Sequence, residues 1–334
     1  MKLSIVIPTY NRNATLCENL PALLAQINED VELIILDNAS PIPVADSIKN
    51  ILEMYPEVPV TIIRHKINIG GEANFLRAFE IVESPWLWIL GDDDIVSKTA
   101  VFDVIQAIEA HPECMFMNFL TRLMFLENFR PLAFETIGQH GFVQGVDYPG
   151  NINFMSVGVW HVPSVLSAIS TTYHFAYSMS FTYVMLLSAL GDTGRCLFSN
   201  NVIVEVVTTA PANTKWQFHK FIMGWNTILE LPMKRTTREI LARKMYSWHS
   251  PESVCIFILA EAAAESSNGY FYMLACNRLS PYVGFFARTR FFLYRPLFWY
   301  PKIGWPLAAA ILKLAVRLKI KKVDINDIVE RSFN

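Results

Sequence analysis

The chain has 334 residues and a formal charge of −2, from 28 Lys and Arg against 30 Asp and Glu. Hydrophobic residues make up 52% and charged residues 17%, which excludes a disordered chain and a generally basic nucleic-acid binder. The length suits one large domain or two medium ones, with a core that needs no disulfide or structural metal.

Leu3 to Ile7 is a strand-like apolar run, too short for a signal peptide. Asn13 can cap a helix running to about Gln26. Val31–Leu36 reads as a second strand and Pro43 to Met54 as a helix. Val60–Ile63 is a third strand, followed by a helix over Glu72–Val82. Trp86–Leu90 is a fourth strand, and Lys98 to Ala110 is again helical. Alternating strands and helices, with almost uniformly apolar strands, predict a parallel sheet covered on both faces. In such sheets ligands bind beyond the carboxyl ends of the strands. The polar segments there are Pro8-Thr9-Tyr10-Asn11-Arg12, Asp37-Asn38-Ala39-Ser40, His65 with Asn68-Ile69-Gly70-Gly71, and Gly91-Asp92-Asp93-Asp94. All four should converge on one edge.

Three consecutive aspartates repel one another, and burial in a cleft raises their pKa values. A divalent cation resolves that conflict, and oxygen ligands suit Mg²⁺ or Mn²⁺. An isolated run of this kind would serve as a solvated turn capping the next helix. Its place directly after a buried strand, beside three matching tips, points instead to metal. Asp37 can pair with a base N–H or a ribose hydroxyl, or close an Asx-turn. Gly70-Gly71 permits close backbone approach at a helix start, where a phosphate can be held. Neither G-x-G-x-x-G nor G-x-x-x-x-G-K-[ST] is present, which weakens dinucleotide and P-loop readings.

Further on, FMNFL, LMFL and NINFM (within 112–160) read as short strands. Phe175–Leu190 reads as a helix before Gly191, with Trp216–Leu231, Thr236–Tyr246 and Glu252–Ala264 as later helices. The five cysteines (17, 114, 196, 255 and 276) are scattered, and no two have metal-ligand spacing. They read as reduced thiols of a cytoplasmic protein.

Charge is segregated. The 58 residues 266–323 contain no acid, ten basic residues and 13 aromatics, so this segment is +10 and the remainder −12. Arg288, Arg290, Arg295, Trp299, Lys302 and Trp305 interleave cations with rings in a pattern suited to a bilayer interface. The longest apolar run here, Trp305 to Leu312, is far below the roughly 20 residues of a spanning helix. Lys313, Arg317 and Lys321 then recur every four residues. We read 303–322 as a helix lying on a membrane. The competing reading is a terminal helix packed on the protein's own core. No RNA-binding signature accompanies the patch.

SIVIPTYNR at 4–12, LDNAS at 36–40, NIGGEANFLRA at 68–78 and WILGDDD at 88–94 occur in an order that resembles family 2 glycosyltransferases with the GT-A fold. The resemblance covers roughly residues 1–115. It implies a Rossmann-like, mostly parallel sheet and a nucleotide-diphosphate sugar as donor. It also places Pro8, Thr9 and Asn11 beside the nucleoside, with Tyr10 and Arg12 in the same donor-binding motif. Asp37 would read the base next to Asn38, and Asn68, Gly70 and Asn74 would shape the donor pocket. Asp93 would be the direct ligand of Mn²⁺ or Mg²⁺, with Asp92 towards ribose or sugar and Asp94 in support. Many members carry an acid at the first motif position, where this chain has Gly91. Inverting members also carry an acceptor-side Glu-Asp pair about ten residues before a glycine. Here the corresponding place reads Met179-Ser180-Phe181, so the base does not carry over. Asp147, His161, His174, Asp192 and Glu205 remain as candidates, or Ser180 or Tyr183 binds acceptor without acting as base.

The expected organisation is a catalytic domain over 1–210, with 1–115 for the donor and 116–210 for the acceptor. A helical, membrane-associating region follows over 211–334. A cytoplasmic enzyme on the inner face of the cell membrane fits a glycan or lipid-linked oligosaccharide acceptor, as in O-antigen or capsule synthesis. The competing expectations are a catalytically impaired membrane scaffold of this fold and a nucleotidyltransferase.

Overall fold

A computed structural model of the chain describes residues 1–122, 133–146, 150–178, 180–205, 227–248 and 285. The candidate base Asp147, the LMFL run, the proposed helices 252–264 and 303–322, the basic aromatic segment 266–323 apart from Phe285, Cys255 and Cys276 lie outside them.

The chain divides into two compact units, one of residues 1–176 and 181–214, the other of 177–180 and 215–334. The first begins as the sequence predicts: β1 (Leu3–Thr9), α1 (Asn13–Leu24), β2 (Val31–Asp37), α2 (Val44–Leu52), β3 (Val60–Arg64), α3 (Gly71–Ile81) and β4 (Trp86–Ile89). It continues with β5 (Ile95–Val96), α4 (Ala100–Ala110), β6 (Cys114–Thr121), β7 (Phe134–Ile137), α5 (Gly138–Gly145), α6 (Gly150–Asn153) and β8 (Gly158–His161). Three short helices, α7 (Val162–Val165), α8 (Ile169–His174) and α9 (Phe181–Ala189), lead to β9 (Arg195–Glu205).

Among the described residues the sheet has nine strands in the order β3-β2-β1-β4-β8-β6-β9-β5, with β7 also paired to β9. β1 pairs in parallel with β2 and β4, β2 with β3, and β6 with β9. β8 lies antiparallel between β4 and β6, and β5 and β7 run antiparallel to β9. Six strands therefore point one way and three the other, a mixed sheet that is mostly parallel. The carboxyl ends of β1–β4, β6 and β9 share one edge.

Strand alternation separates two layers. Leu3, Ile5 and Ile7 join Trp86, Trp88 and Leu90 in a core with Leu16, Leu20 and Leu23 of α1, Val44 and Ile48 of α2, and Val101, Val104 and Ile108 of α4. An aromatic layer fills another part of the interior. Phe79 meets Trp160 edge-on at 5.5 Å, Phe116 meets the same indole at 4.4 Å, and Phe75 of α3 meets Phe181 of α9 at 4.3 Å.

Three local expectations are corrected. Asn13 does not cap α1. It is the first helical residue, and its amide donates to Ile42 O (3.1 Å) and Ser47 Oγ (2.7 Å), fastening α1 to the start of α2. NINFM is not a strand but the end of α6 and the start of a 3₁₀ turn, Met155–Val157. The helix expected over Phe175–Leu190 is interrupted, with a 3₁₀ turn at Ala176–Ser178 before α9.

The described residues of the second unit include a 3₁₀ turn, Ile228–Glu230, and α10 (Arg235–Trp248). Arg238 donates to Leu231 O at 3.1 Å, joining the two. Among the described residues no helix is long and apolar enough to cross a membrane.

Candidate active site at the strand tips

The four polar tips meet on one edge because β1, β2, β3 and β4 are parallel neighbours. The tips of β1 and β2 are locked together by Asn38 N–H donating to Thr9 O (2.9 Å) and Asn11 N–H to Ser40 Oγ (2.9 Å). Asn11 (φ 55°) and Ala39 (φ 63°) both adopt the left-handed conformation there. Non-glycine residues in that region are uncommon and collect at functional sites.

The aspartates after β4 have three different environments. Asp92 is buried, accepting from Thr9 Oγ1 at 2.6 Å and from an Arg12 nitrogen at 3.1 Å. Asp93 is open to solvent, with its side chain 52% exposed, and accepts from the same Arg12 nitrogen at 2.5 Å. Asp94 turns inward to accept from the Ser156 hydroxyl. Ser156, on the 3₁₀ turn before β8, also accepts from Gly91 N–H at 2.8 Å. Burial raises the Asp92 carboxyl, with Thr9 and Arg12 opposing. Burial, helped by repulsion from Asp93 and Asp92, pushes Asp94 up to about 6. Burial works against the Arg12 charge, yet Asp92 and Asp93 outweigh it and raise the guanidinium.

A side chain at Gly91 would crowd the carboxylates that follow it. A Cβ there would stand 2.6 Å from Asp94 Oδ2 and 3.2 Å from Asp93 Oδ1. A side chain at this position would require those two carboxylates to move.

Asp37 is 1% exposed. Its oxygens accept from Ser40 N–H (2.8 Å), Val44 N–H at the start of α2 (3.3 Å) and Arg64. Burial would raise this carboxyl, but those donors outweigh it and hold it below the ordinary carboxylate range. The side chain expected to face a base is thus turned into the β2 loop. Asn38 accepts from Ile69 N–H at 2.9 Å and donates to Asn68 Oδ1 at 3.0 Å and Gly70 O at 3.2 Å. Asn74, 2% exposed, donates to Leu36 O and contacts His65 Nε2 at 2.8 Å. These bonds bring Asn38, Asn68, Gly70 and Asn74 together at the start of α3. Gly70 takes φ 90°, and added Cβ atoms at Gly70 and Gly71 would meet nothing within 4 Å. The first turn of α3 therefore faces open space, as anion binding at a helix N-terminus requires. Tyr10 is 45% exposed at the same edge.

The base candidates separate by edge. His161 pairs with Trp86 at the start of β4, about 13 Å along the strand from Leu90. It packs on that indole, its Nδ1 lies 2.7 Å from Ser164 Oγ, and burial lowers its pKa. His174 Nδ1 contacts Ser170 O, and its neighbour Tyr173 bonds Glu80 near the end of α3, away from the tips. Asp192 lies against Gly138 just before β9, beside the start of β6. These three stand at the opposite edge and are set aside as bases. Glu205, at the carboxyl end of β9, pairs with Ile95 directly after the aspartates and forms an ion pair with Arg122. Sequence reasoning missed Ser156 and Arg64. Neither belongs to a motif, and only the chain's return through β8 and β3 brings them to the site.

The mixed, mostly parallel α/β sheet matches the fold of solved glycosyltransferase structures. The profile described as glycosyl transferase family 2 matches residues 4–151, somewhat under half of the chain. The chain is 32% identical over 106 residues to the abequosyltransferase RfbV of Salmonella typhimurium, covering 30% of this chain and 31% of that one. The chain spans about a third of the length of the first curated relatives it matches. The S. aureus TarS 1–349 structure in complex with UDP-GlcNAc shares the fold at a TM-score of 0.56 and 14% identity, over 89% of this chain and 92% of that one. The mannosyltransferase PcManGT from Pyrobaculum calidifontis, in complex with GDP-Man and Mn²⁺, does so at 0.56 and 13%, over 94% and 87%.

Proposed function

We propose that the protein transfers a monosaccharide from a nucleotide-diphosphate sugar to a hydroxyl of a glycan acceptor, carried on a lipid in polysaccharide synthesis of the O-antigen or capsule kind. The observation that carries this reading is the placement of Asp92, Asp93 and Asp94 on the same sheet edge as the tips of β1 and β2 and the start of α3. A nucleotide sugar laid along this edge would cross the tips of β2 and β1, with its diphosphate at the carboxylate run.

The residues fit Mg²⁺ or Mn²⁺. The donor set is all oxygen, and one carboxylate, Asp93, is open. Arg12 already satisfies part of the demand for positive charge there. Asp93 would be the direct ligand, with Asp92 beside it and Asp94 held behind by Ser156. When bound, the ion supplies Lewis-acid stabilisation of the departing diphosphate. Arg12, freed from the carboxylates, would turn to the same diphosphate charge. Pro8, Thr9, Tyr10, Asn11 and Asn38 would border the nucleoside. Asp37 would act at one remove, by holding the β2 loop in shape. Glu205 is our candidate to take the acceptor proton, which requires Arg122 to release one of its oxygens. Transfer would then be inverting.

Purified protein is screened against nucleotide-sugar donors with Mn²⁺ or Mg²⁺, reading released nucleoside diphosphate. Turnover of one donor, reduced at least 100-fold in Asp93→Asn, is the expected result. No turnover and no thermal protection by any donor would overturn the reading. Glu205→Gln should lower kcat for transfer while leaving donor protection unchanged.

A further inference from the structure

A second cluster of ligand-type side chains lies at the opposite edge of the sheet. His111, Glu113 and Cys114 come from the turn joining α4 to β6, and Glu135 comes from β7. One ligand atom from each falls within 4.8 Å of all the others. His111 Nδ1 and Glu135 Oε1 are 2.8 Å apart. The turn is closed by Cys114 N–H donating to His111 O at 3.0 Å, so its two ends are held together before any ligand arrives. Cys114 is 1% exposed, while His111 and Glu135 keep about a third of their side-chain surface. The arrangement is a shallow cup with sulfur at its floor and nitrogen and oxygen at its rim.

We propose that this cup is a zinc site. Sulfur, imidazole and carboxylate together form the donor mixture that suits a borderline-soft ion of tetrahedral preference and disfavours Mg²⁺ and Ca²⁺. Two chain segments supply the ligands, so the ion would pin the α4–β6 turn to β7. Arg195 is the built-in competitor. Its guanidinium lies 3.4 Å from Glu135 and 3.9 Å from Glu113, and it must give up both as zinc binds. The ion, bound as zinc thiolate, displaces the Cys114 proton to solvent. This site needs neither a sugar donor nor the strand-tip aspartates.

The test uses the full-length protein stripped of metal, titrated with Co²⁺ as a spectroscopic probe and then with Zn²⁺ against a chromogenic chelator. The expected result is one equivalent bound with a thiolate-to-cobalt charge-transfer band. The band disappears in Cys114→Ser, and zinc affinity falls at least tenfold in the surface variant His111→Gln and in Glu135→Gln. Affinity rises several-fold in Arg195→Gln and is unchanged in Asp93→Asn. Absence of the band in a folded protein, or a band and affinity unaltered in His111→Gln and Glu135→Gln, would overturn the site.

Discussion

Asp94 illustrates how one side chain can be poorly placed for the apoprotein and well placed for a ligand. It is half-buried with a pKa of about 6, held by one hydroxyl and repelled by two neighbours. Because its folded pKa lies above the unfolded one, the folded state binds this proton more tightly. The contribution is fully present below about pH 4 and is lost as pH rises through about 6, on the order of 3 kcal/mol. Asp92 is raised as well and acts in the same sense. Asp37 is lowered and acts oppositely, stabilising above the unfolded pKa and losing this as pH falls. In metal-free buffer, Asp94→Asn should therefore flatten the fall in Tm between pH 4 and 6.5. An unchanged slope would show that Asp94 does not titrate in this range. Ser156→Ala leaves the Gly91 N–H and the Asp94 carboxylate without their shared partner. It should cost about 1–3 kcal/mol in urea unfolding.

At the scale of elements, the β2 loop is organised around one buried carboxylate. Arg64, at the end of β3, bonds Asp37 and donates to Ser40 O at 2.7 Å, so neighbouring strands share one clamp. Arg64→Met leaves Asp37 with its backbone donors and the Ser40 hydroxyl and should destabilise by roughly 1–3 kcal/mol. Donor affinity should fall with it, since Ser40 and Asn38 shape the tip. A variant as stable as the parent, with unchanged donor protection, would remove Arg64 from the site. The first four strands were legible because β1, β2 and β4 are largely apolar runs buried on both faces, while the half-exposed β3 shows itself by its β-branched Val60, Thr61, Ile62 and Ile63. β5 is two residues long, and β7 has three exposed positions of four, so neither leaves a pattern in the chain. β8, with its Gly158-Val159-Trp160-His161, is made a strand by pairing on both sides.

At the scale of the whole molecule, the −12 and +10 partition of charge is the feature from which membrane association is proposed. Replacing Lys313, Arg317 and Lys321 by Glu should abolish sedimentation with anionic vesicles, reduce it little for neutral ones, and leave donor hydrolysis unchanged. Equal binding of parent and variant to anionic vesicles would defeat the membrane reading. Ligand linkage provides a second test. A nucleoside diphosphate and Mn²⁺ together at about 100 times Kd should add about 2.7 kcal/mol, and Asp93→Asn should lose that gain.

The sequence by itself determined the alternation of strand and helix, the positions of the four tips and the chemistry of the carboxylate run. These follow from local periodicity and from residue types that carry their meaning with them. The tertiary structure decided which carboxylate faces solvent. It turned Asp37 inward, gave Asp94 its hydroxyl partner from 62 residues away, and divided the base candidates between the two edges. Each of those outcomes depends on which distant segment returns to a given place. A buried charge is settled by the donors that reach it, and their arrival is a property of the packed sheet.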